Sequence, residues 1–245
     1  MLRLLTLNLN YHGDAKGPWP QRRELVRKAI EECSPDVVFL QAVRLANGED
    51  QAHELGRLLN YPEVFFQPAV TRNDGSMDGS AMLSKLPLLQ RNSQPLGFRE
   101  ALEDDNRRVI QHAVVEIGSR PLHLFNAHFS WVAEQARDNI AESAALLPQD
   151  ADAVLAGDLN TPPESALFQP FRDAGFVDAW AALHPGEDGY TFEADKPFTR
   201  IDYFWLSPGL APQLREVERL NPGGDGIWLS DHMALAAGLA FPPPV

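Results

Sequence analysis

Apolar and polar positions along the chain fall into short alternating blocks. LRLLTLN (2 to 8) reads as a strand, and QRRELVRKAIEEC carries Leu25, Val26, Ala29 and Ile30 at helical spacing. Ser34-Pro35-Asp36 stops that helix and opens a second strand, VVFLQAV. A second helical pattern follows in DQAHELGRLL. After it come the strand candidates VFFQ, GSAMLS, VIQHAVVEI and PLHLFNAHF, the last two close enough to pair as a hairpin across Gly118-Ser119-Arg120. A helix over 132 to 147, the strand DAVLAG, a helix over 164 to 174 and the strands RIDYFWLS, REVERL and MALAAGLA complete the pattern. Helices fall between strands in the outer parts of the chain, while adjacent strands dominate the middle. That arrangement predicts a mixed α/β (α+β) domain rather than a purely doubly wound one.

Composition narrows the picture. With 245 residues, 44% of them hydrophobic, the chain can bury a sizeable core, and one domain over residues 1–245 is expected. No apolar run approaches the ~18 residues that span a bilayer, and Met1 stands directly before the first strand with no basic segment and cleavage site ahead of it. The expectation is a cytoplasmic protein without a membrane span, acting as a monomer. The single cysteine, Cys33, cannot form an internal disulfide and reads as a small buried residue at a helix end. The net charge of −13, from 21 Lys and Arg against 34 Asp and Glu, weighs against broad affinity for phosphate backbones. Arg22, Arg23, Arg27 and Lys28 crowd one segment, but their spacing reads as the solvated face of a helix.

Polar residues that bear chemistry collect at strand ends, where loops are held by a rigid sheet. The first strand ends in Asn8 and Asn10, PLHLFNAHF ends in Asn126-Ala127-His128, and DAVLAG ends in Gly157-Asp158-Leu159-Asn160. Asp202 sits inside the apolar run RIDYFWLS, and Ser230-Asp231-His232 precedes the last strand. Taken singly, most of these have plain structural readings: Asn and Asp after a strand are ordinary turn formers, and a lone histidine is more often a hydrogen-bonded core residue. Asp202 differs, because a carboxylate flanked by Ile201, Tyr203, Phe204 and Trp205 is expensive to bury without a partner such as a histidine.

Seven segments, TLNLN, PDVVFLQAV, GSAMLS, NAHFS, GDLN, RIDYFWLS and SDHMAL, stand in an order that resembles the endonuclease/exonuclease/phosphatase superfamily of metal-dependent phosphodiesterases and phosphomonoesterases. None of them is specific alone; together, from Thr6 to His232, they are. The resemblance implies a four-layer α/β sandwich, two mixed β-sheets packed face to face and flanked by helices, with the site at one end of the sheets. It implies that Asp158 activates the water, that Asn160 fixes water and phosphate, and that His232, oriented by Asp202, donates to a phosphoryl oxygen, with His128 as a second imidazole. It also places Asn8 and Asp231 on the metal side, where Mg²⁺ or Mn²⁺ takes oxygen ligands. Asn8, Asn126, Arg200 and Trp131 are the substrate-binding candidates, and Arg99, Arg107 and Arg108 are further arginines able to meet a phosphate. A small phosphoester is favoured over duplex DNA by the charge of −13.

One position departs from the family pattern. The strand matching VVFLQAV ordinarily ends Leu-Gln-Glu-Val, with the Glu as principal metal ligand, and here that position is Ala42. Gln41 cannot take over, because successive strand side chains point to opposite faces. Mg²⁺ binding is therefore expected to be weakened and activity impaired. With the rest of the constellation intact, a Glu-to-Ala replacement on an otherwise competent enzyme is the first explanation. The alternative is a natural variant that recruits Asp14, Glu49 or Asp50, or that binds phosphorylated ligands without catalysis. Other hydrolase chemistry lacks its motifs: there is no Gly-x-Ser-x-Gly turn, no phosphate-cradling glycine loop ending in Lys, and no Cys/His zinc spacing.

Overall fold

A computed structural model describes residues 1–10 and 15–241. In chain order the elements are β1 (Leu2–Asn8), α1 (Trp19–Cys33), β2 (Val37–Ala46), β3 (Glu49–Asp50), α2 (Gln51–Leu59), β4 (Glu63–Thr71), β5 (Met77–Ser84), β6 (Gln90–Pro95), β7 (Val109–Ile117) and β8 (Arg120–His128). Then follow α3 (Ala133–Leu146), β9 (Ala153–Asp158), α4 (Gln169–Asp173), β10 (Val177–Asp178), α5 (Ala179–Leu183), β11 (Asp202–Leu206), β12 (Leu214–Leu220), β13 (Gly223–Gly224), β14 (Ile227–Trp228) and β15 (Ala234–Leu239). Two mixed sheets result, one ordered β12-β15-β1-β2-β5-β4 with β3 on β2, the other β10-β11-β9-β8-β7-β6. Each contains one parallel pair, β1 with β2 and β8 with β9, and a helix, α1 or α3, makes each crossover.

The period of two along each strand explains the layers. Leu2 and Leu4 of β1, Val37 and Phe39 of β2, Leu122 and Leu124 of β8, Val154 and Ala156 of β9, and Phe204 and Leu206 of β11 meet in one core between the sheets. The alternate residues of the first sheet, among them Leu5, Leu7, Val38 and Leu40, pack with Val26 and Ile30 of α1 and Leu55 of α2. Those of the second, among them Phe125, Leu155, Tyr203 and Trp205, pack with Ile140 of α3 and Phe171 of α4. The molecule is thus a four-layer sandwich, helix, sheet, sheet, helix, in which each fully buried Leu or Phe stabilises by roughly 1.5–3 kcal/mol. Among the described residues no helix is long and apolar enough to cross a membrane.

Continuing the inter-sheet rows by two residues gives Thr6 and then Asn8 on β1, Gln41 on β2, Asn126 and then His128 on β8, Asp158 on β9 and Asp202 on β11. Those inside the sandwich bond to one another. Gln41 Nε2 donates to Asn126 Oδ1 at 2.7 Å and to Thr6 Oγ1 at 3.1 Å, and Asn126 Nδ2 donates to Gln111 Oε1 at 2.9 Å and to the carbonyl of Ala81 at 2.9 Å. This polar knot ties the sheets together at the end of the apolar core, and the residues beyond it reach the rim.

Besides the short β3, β10, α5, β13 and β14, which the pattern does not announce, three features differ from the sequence-based expectation. The strand β6, QRNSQP, has no apolar alternation because all six residues are exposed on an edge, where pairing to β7 decides its conformation. The helix expected over 164–174 is a 3₁₀ turn at Ala166–Phe168 running into the short α4. Arg22 is not on a solvated helix face: it is 2% exposed, and its guanidinium donates to the carbonyls of Gly17, Leu9, Asn10 and Leu229 at 2.8–3.2 Å. It holds the loop after β1 against the loop before β15, while Arg23, Arg27 and Lys28 form the expected surface ion pairs with Glu54, Glu24, Glu31 and Glu32.

Candidate active site

Two matching turns build the floor of the site. Where β1 ends, Leu9 N donates to the carbonyl of Gln41 at 2.8 Å and Asn10 N to Asn8 Oδ1 at 2.8 Å. Where β9 ends, Phe129 N donates to the carbonyl of Asp158 at 2.9 Å and Asn160 N to Asp158 Oδ1 at 3.0 Å. Each is a side chain closing its own turn, and Asn10 and Asn160 take the left-handed φ of 50° and 46° that asparagine tolerates well. Gly157 precedes Asp158 because a Cβ there would collide with the carbonyl oxygen of Ala127, which brings β8 and β9 together at the site.

Asp158, 1% exposed, is surrounded by donors. Asn8 Nδ2 reaches its Oδ2 at 2.8 Å, His128 Nε2 stands 3.3 Å away and His232 Nε2 3.7 Å away. His232 Nδ1 is 2.9 Å from Asp202 Oδ2, so Asp202 sets the tilt of the ring. Burial works against the charged forms, but the surrounding donors outweigh it and hold the Asp158 carboxyl well below the ordinary range. Burial also disfavours a charged His232, yet the Asp202 and Asp158 carboxylates outweigh it and push the imidazole up to about 10. His128 goes the other way: burial first, then the guanidinium of Arg108, lower it and keep the ring neutral. The pair of imidazoles is therefore divided into a cationic donor, His232, and a neutral partner, His128.

These groups open into a pocket of about 350 Å³, lined also by Asn10, Ala42, Asn106, Arg108, Trp131, Phe192 and Asp231. Trp131 is 51% exposed at its edge, and the Phe192 ring packs 4.9 Å from the His232 ring. Of the residues read from the sequence, Asn8, Ala42, His128, Trp131, Asp158, Asn160, Asp231 and His232 come together here, with Asp202 behind His232. Asn126 and Arg200 do not. Asn126 is fully buried in the polar knot, and Arg200, 3% exposed, pairs with Asp178 at 2.8 Å and lies over the Tyr203 ring at 4.8 Å. Arg99 pairs with Asp138, Arg107 lies over Phe98, and Arg108 alone of the named arginines reaches the pocket. Phe192 was not singled out in the sequence, and Arg22, which braces the loop after β1, was misread there as solvated. A pattern of apolar spacing gives no sign that an arginine inside α1 turns inward, and Phe192 lies in a segment without periodicity.

The side that the family resemblance assigns to a metal is sparse. Ala42 sits at a bulge of β2 against β5, with φ of 50°, and contributes a methyl group. Of the alternative acids, Glu49 pairs with Arg57 and Asp50 caps α2 by accepting from His53 N, so neither reaches the pocket, and Asp14 lies outside the described residues. Asp231 and the Asn8 amide oxygen remain, and that oxygen already accepts from Asn10. One carboxylate and one engaged amide do not fit the oxygen-rich shell that Mg²⁺ demands. Among the described residues a single Asp/Asp/His group, Asp158, Asp202 and His232, has its donor atoms within 4.8 Å of one another and could hold a metal ion.

The model of the endonuclease/exonuclease/phosphatase family matches residues 5–232, and the chain belongs to that family. A family member from Beutenbergia cavernae superposes with a TM-score of 0.80 at 21% identity, covering 96% of this chain and 70% of that one. The Bacteroides thetaiotaomicron mannosyl-6-phosphatase gives 0.72 at 17% identity over 98% and 100% of the two chains. D. rerio TDP2 complexed with a single-strand DNA product gives 0.69 at 20% identity over 96% and 97%. At these identities the likeness speaks to the fold. Members of the family are hydrolases of phosphoesters, and the fold of this chain is theirs.

Proposed function

We propose that the pocket binds the phosphoryl group of a small phosphoester and carries the protein half of a hydrolytic centre, weakened at position 42. The observation that supports this reading is the Asp158 carboxylate, walled by Asn8, His128, His232 and the Asn160 turn at the mouth of the pocket. Hydrolysis needs a water aligned opposite the leaving oxygen, and donors where charge develops. Asp158 accepts from that water and, being a weak base, aligns it more than it deprotonates it. Asn160 flanks the water, His232 donates to a phosphoryl oxygen while Asp202 holds its ring, and His128 contacts the phosphate from the other side. In the family a divalent cation such as Mg²⁺ or Mn²⁺ supplies charge neutralisation and a more acidic water when bound. The methyl of Ala42 gives it no ligand, so slow turnover is expected.

The substrate in this reading is a small phosphodiester or phosphomonoester, with its organic part against the exposed ring of Trp131, and the protein acts as a cytoplasmic monomer of one domain. The net charge of −13 and a pocket of about 350 Å³, the size of a single small phosphoester, speak against long duplex DNA. A second reading, a phospholigand-binding module without catalysis, is favoured by Ala42 alone. Hydrolysis of bis-(p-nitrophenyl) phosphate and of its monoester, with Mg²⁺ or Mn²⁺ and with EDTA as control, separates the two. The expected outcome is metal-dependent turnover that is barely measurable in this chain and rises by at least ~100-fold in Ala42→Glu. Inactivity of both forms would favour the binding module, and equal activity in both would mean that position 42 is not the weak point.

A further inference from the structure

The depleted side of the pocket raises the question of which group faces a phosphoryl dianion there. Among the described residues lining the pocket, Arg108 is the one arginine or lysine. It is 7% exposed and stands one residue before β7, while its neighbour Arg107 faces outward with its guanidinium 4.5 Å from the Phe98 ring. Arg108 lines both the pocket and a narrow adjoining cleft that it shares with Ala42 and His128.

The guanidinium is only partly satisfied. Nη2 pairs with Asp104 Oδ2 at 2.8 Å, and Asp104 is itself held by Asn106, whose backbone N and Nδ2 lie 3.0 and 2.6 Å from its other oxygen. Arg108 Nε is buried and has no acceptor in the protein. A guanidinium carries five N–H donors in a rigid fork suited to two oxygens of one anion, so a single contact to Asp104 leaves most of that capacity unused. A buried donor left unmade is costly, which marks a place that a further acceptor would complete.

We propose that Arg108 is the resident cation of this site: its guanidinium, beside the methyl of Ala42, binds the phosphoryl oxygens directly, so that the chain holds phosphate without a divalent metal. The proposal rests on the phosphoester reading above. In the open pocket that Arg108 and Ala42 both line, the methyl at position 42 brings no carboxylate to compete with the anion for the guanidinium.

The test is calorimetric titration of inorganic phosphate into the full chain in EDTA and again with Mg²⁺. The variants are Arg108→Lys, and Arg108→Met combined with Asp104→Asn so that no buried carboxylate is orphaned, each checked for folding by thermal melting. Phosphate is expected to bind equally in EDTA and in Mg²⁺, the double variant to bind roughly tenfold to hundredfold more weakly, and Arg108→Lys to fall between, since a point charge replaces the fork. Ala42→Glu is expected to weaken binding in EDTA. Binding that appears only with Mg²⁺ overturns the proposal, as does a folded double variant that binds phosphate as the parent does. Absence of phosphate binding under every condition would overturn the phosphoester reading itself, and this proposal with it.

Discussion

The units β1-α1-β2 and β8-α3-β9 are the same device built twice, one in each sheet, and they end at the same place with different chemistry. In both, a parallel pair is joined by a crossover helix, and the first backbone N–H after the first strand donates to a carbonyl of the second: Leu9 N to Gln41, and Phe129 N to Asp158. In both, a turn of the form Asx-Leu-Asn closes on its own side chain, at Asn8 and at Asp158. Yet the second strand of one unit ends in a carboxylate with donors from four residues around it, and that of the other presents, at the level of the site, Gln41, consumed by the polar knot, and Ala42, a methyl on a bulge, before running on to Ala46. The difference teaches that the fold presents positions and does not dictate what fills them. Gln41 has partners that the sandwich cannot lose without leaving Asn126 unsatisfied. Position 42 has none, so its side chain is free to serve chemistry or to abandon it.

Three substitutions would break or sharpen that contrast. The largest effect is expected from Asp158→Asn in the Ala42→Glu background, where turnover should fall by roughly 10²–10⁴-fold with little change in the far-ultraviolet spectrum. A fall smaller than tenfold would remove Asp158 from its role and erase the difference between the two units. Gln41→Leu should leave turnover chemistry untouched in kind but lower stability by about 1–3 kcal/mol in urea unfolding, because Asn126 Oδ1 loses its donor inside the core. An unchanged midpoint would mean that the knot does not hold the sheets and that Gln41 and Ala42 are equally dispensable. The smallest effect concerns pH. Burial would raise the Asp104 carboxyl, but Arg108 outweighs it and the group lies below its ordinary value. A depressed folded-state pKa contributes stability above the unfolded value of about 3.9 that is lost as pH falls through the folded one. Asp104→Asn should therefore flatten the acid limb of the stability curve below about pH 5, and a curve parallel to the parent's would show that the ion pair contributes nothing at the depleted side.

Much of the fold was legible in the sequence because strands and helices with one buried face carry their period openly. LRLLTLN, VVFLQAV and DAVLAG became β1, β2 and β9, and the hairpin across Gly118-Ser119-Arg120 became β7 and β8. The strand QRNSQP was silent because an exposed edge needs no apolar row. At the site, Asn126 and His128 share one face of β8, and no local feature says that the first stops inside the sandwich while the second reaches the rim. Depth along a strand depends on where the facing sheet ends. Arg200 and Arg22 were misjudged because acceptors outside their own elements claim them, Asp178 for Arg200, and for Arg22 the carbonyls of the β1–α1 loop together with that of the distant Leu229. Cys33 is the simple case: it ends α1 as a small buried residue, as the sequence reading expects, and burial pushes its thiol up to about 11.

The sequence by itself determined the inventory: most of the elements, their order, and that Asp158, Asn160, Asp202, His128 and His232 stand at or beside strand ends with a methyl at position 42. Those are consequences of local periodicity and of residue identity, both of which are properties of neighbouring positions. Only the tertiary structure decided which of the polar residues meet. It set His232 between two carboxylates drawn from different strands, sank Asn126 and Gln41 into the core, and left Arg108 as the one guanidinium among the described residues lining the pocket. Those outcomes depend on how two sheets cross and where each stops, and the free energy that settles them comes from burying one set of side chains against another far away in the chain.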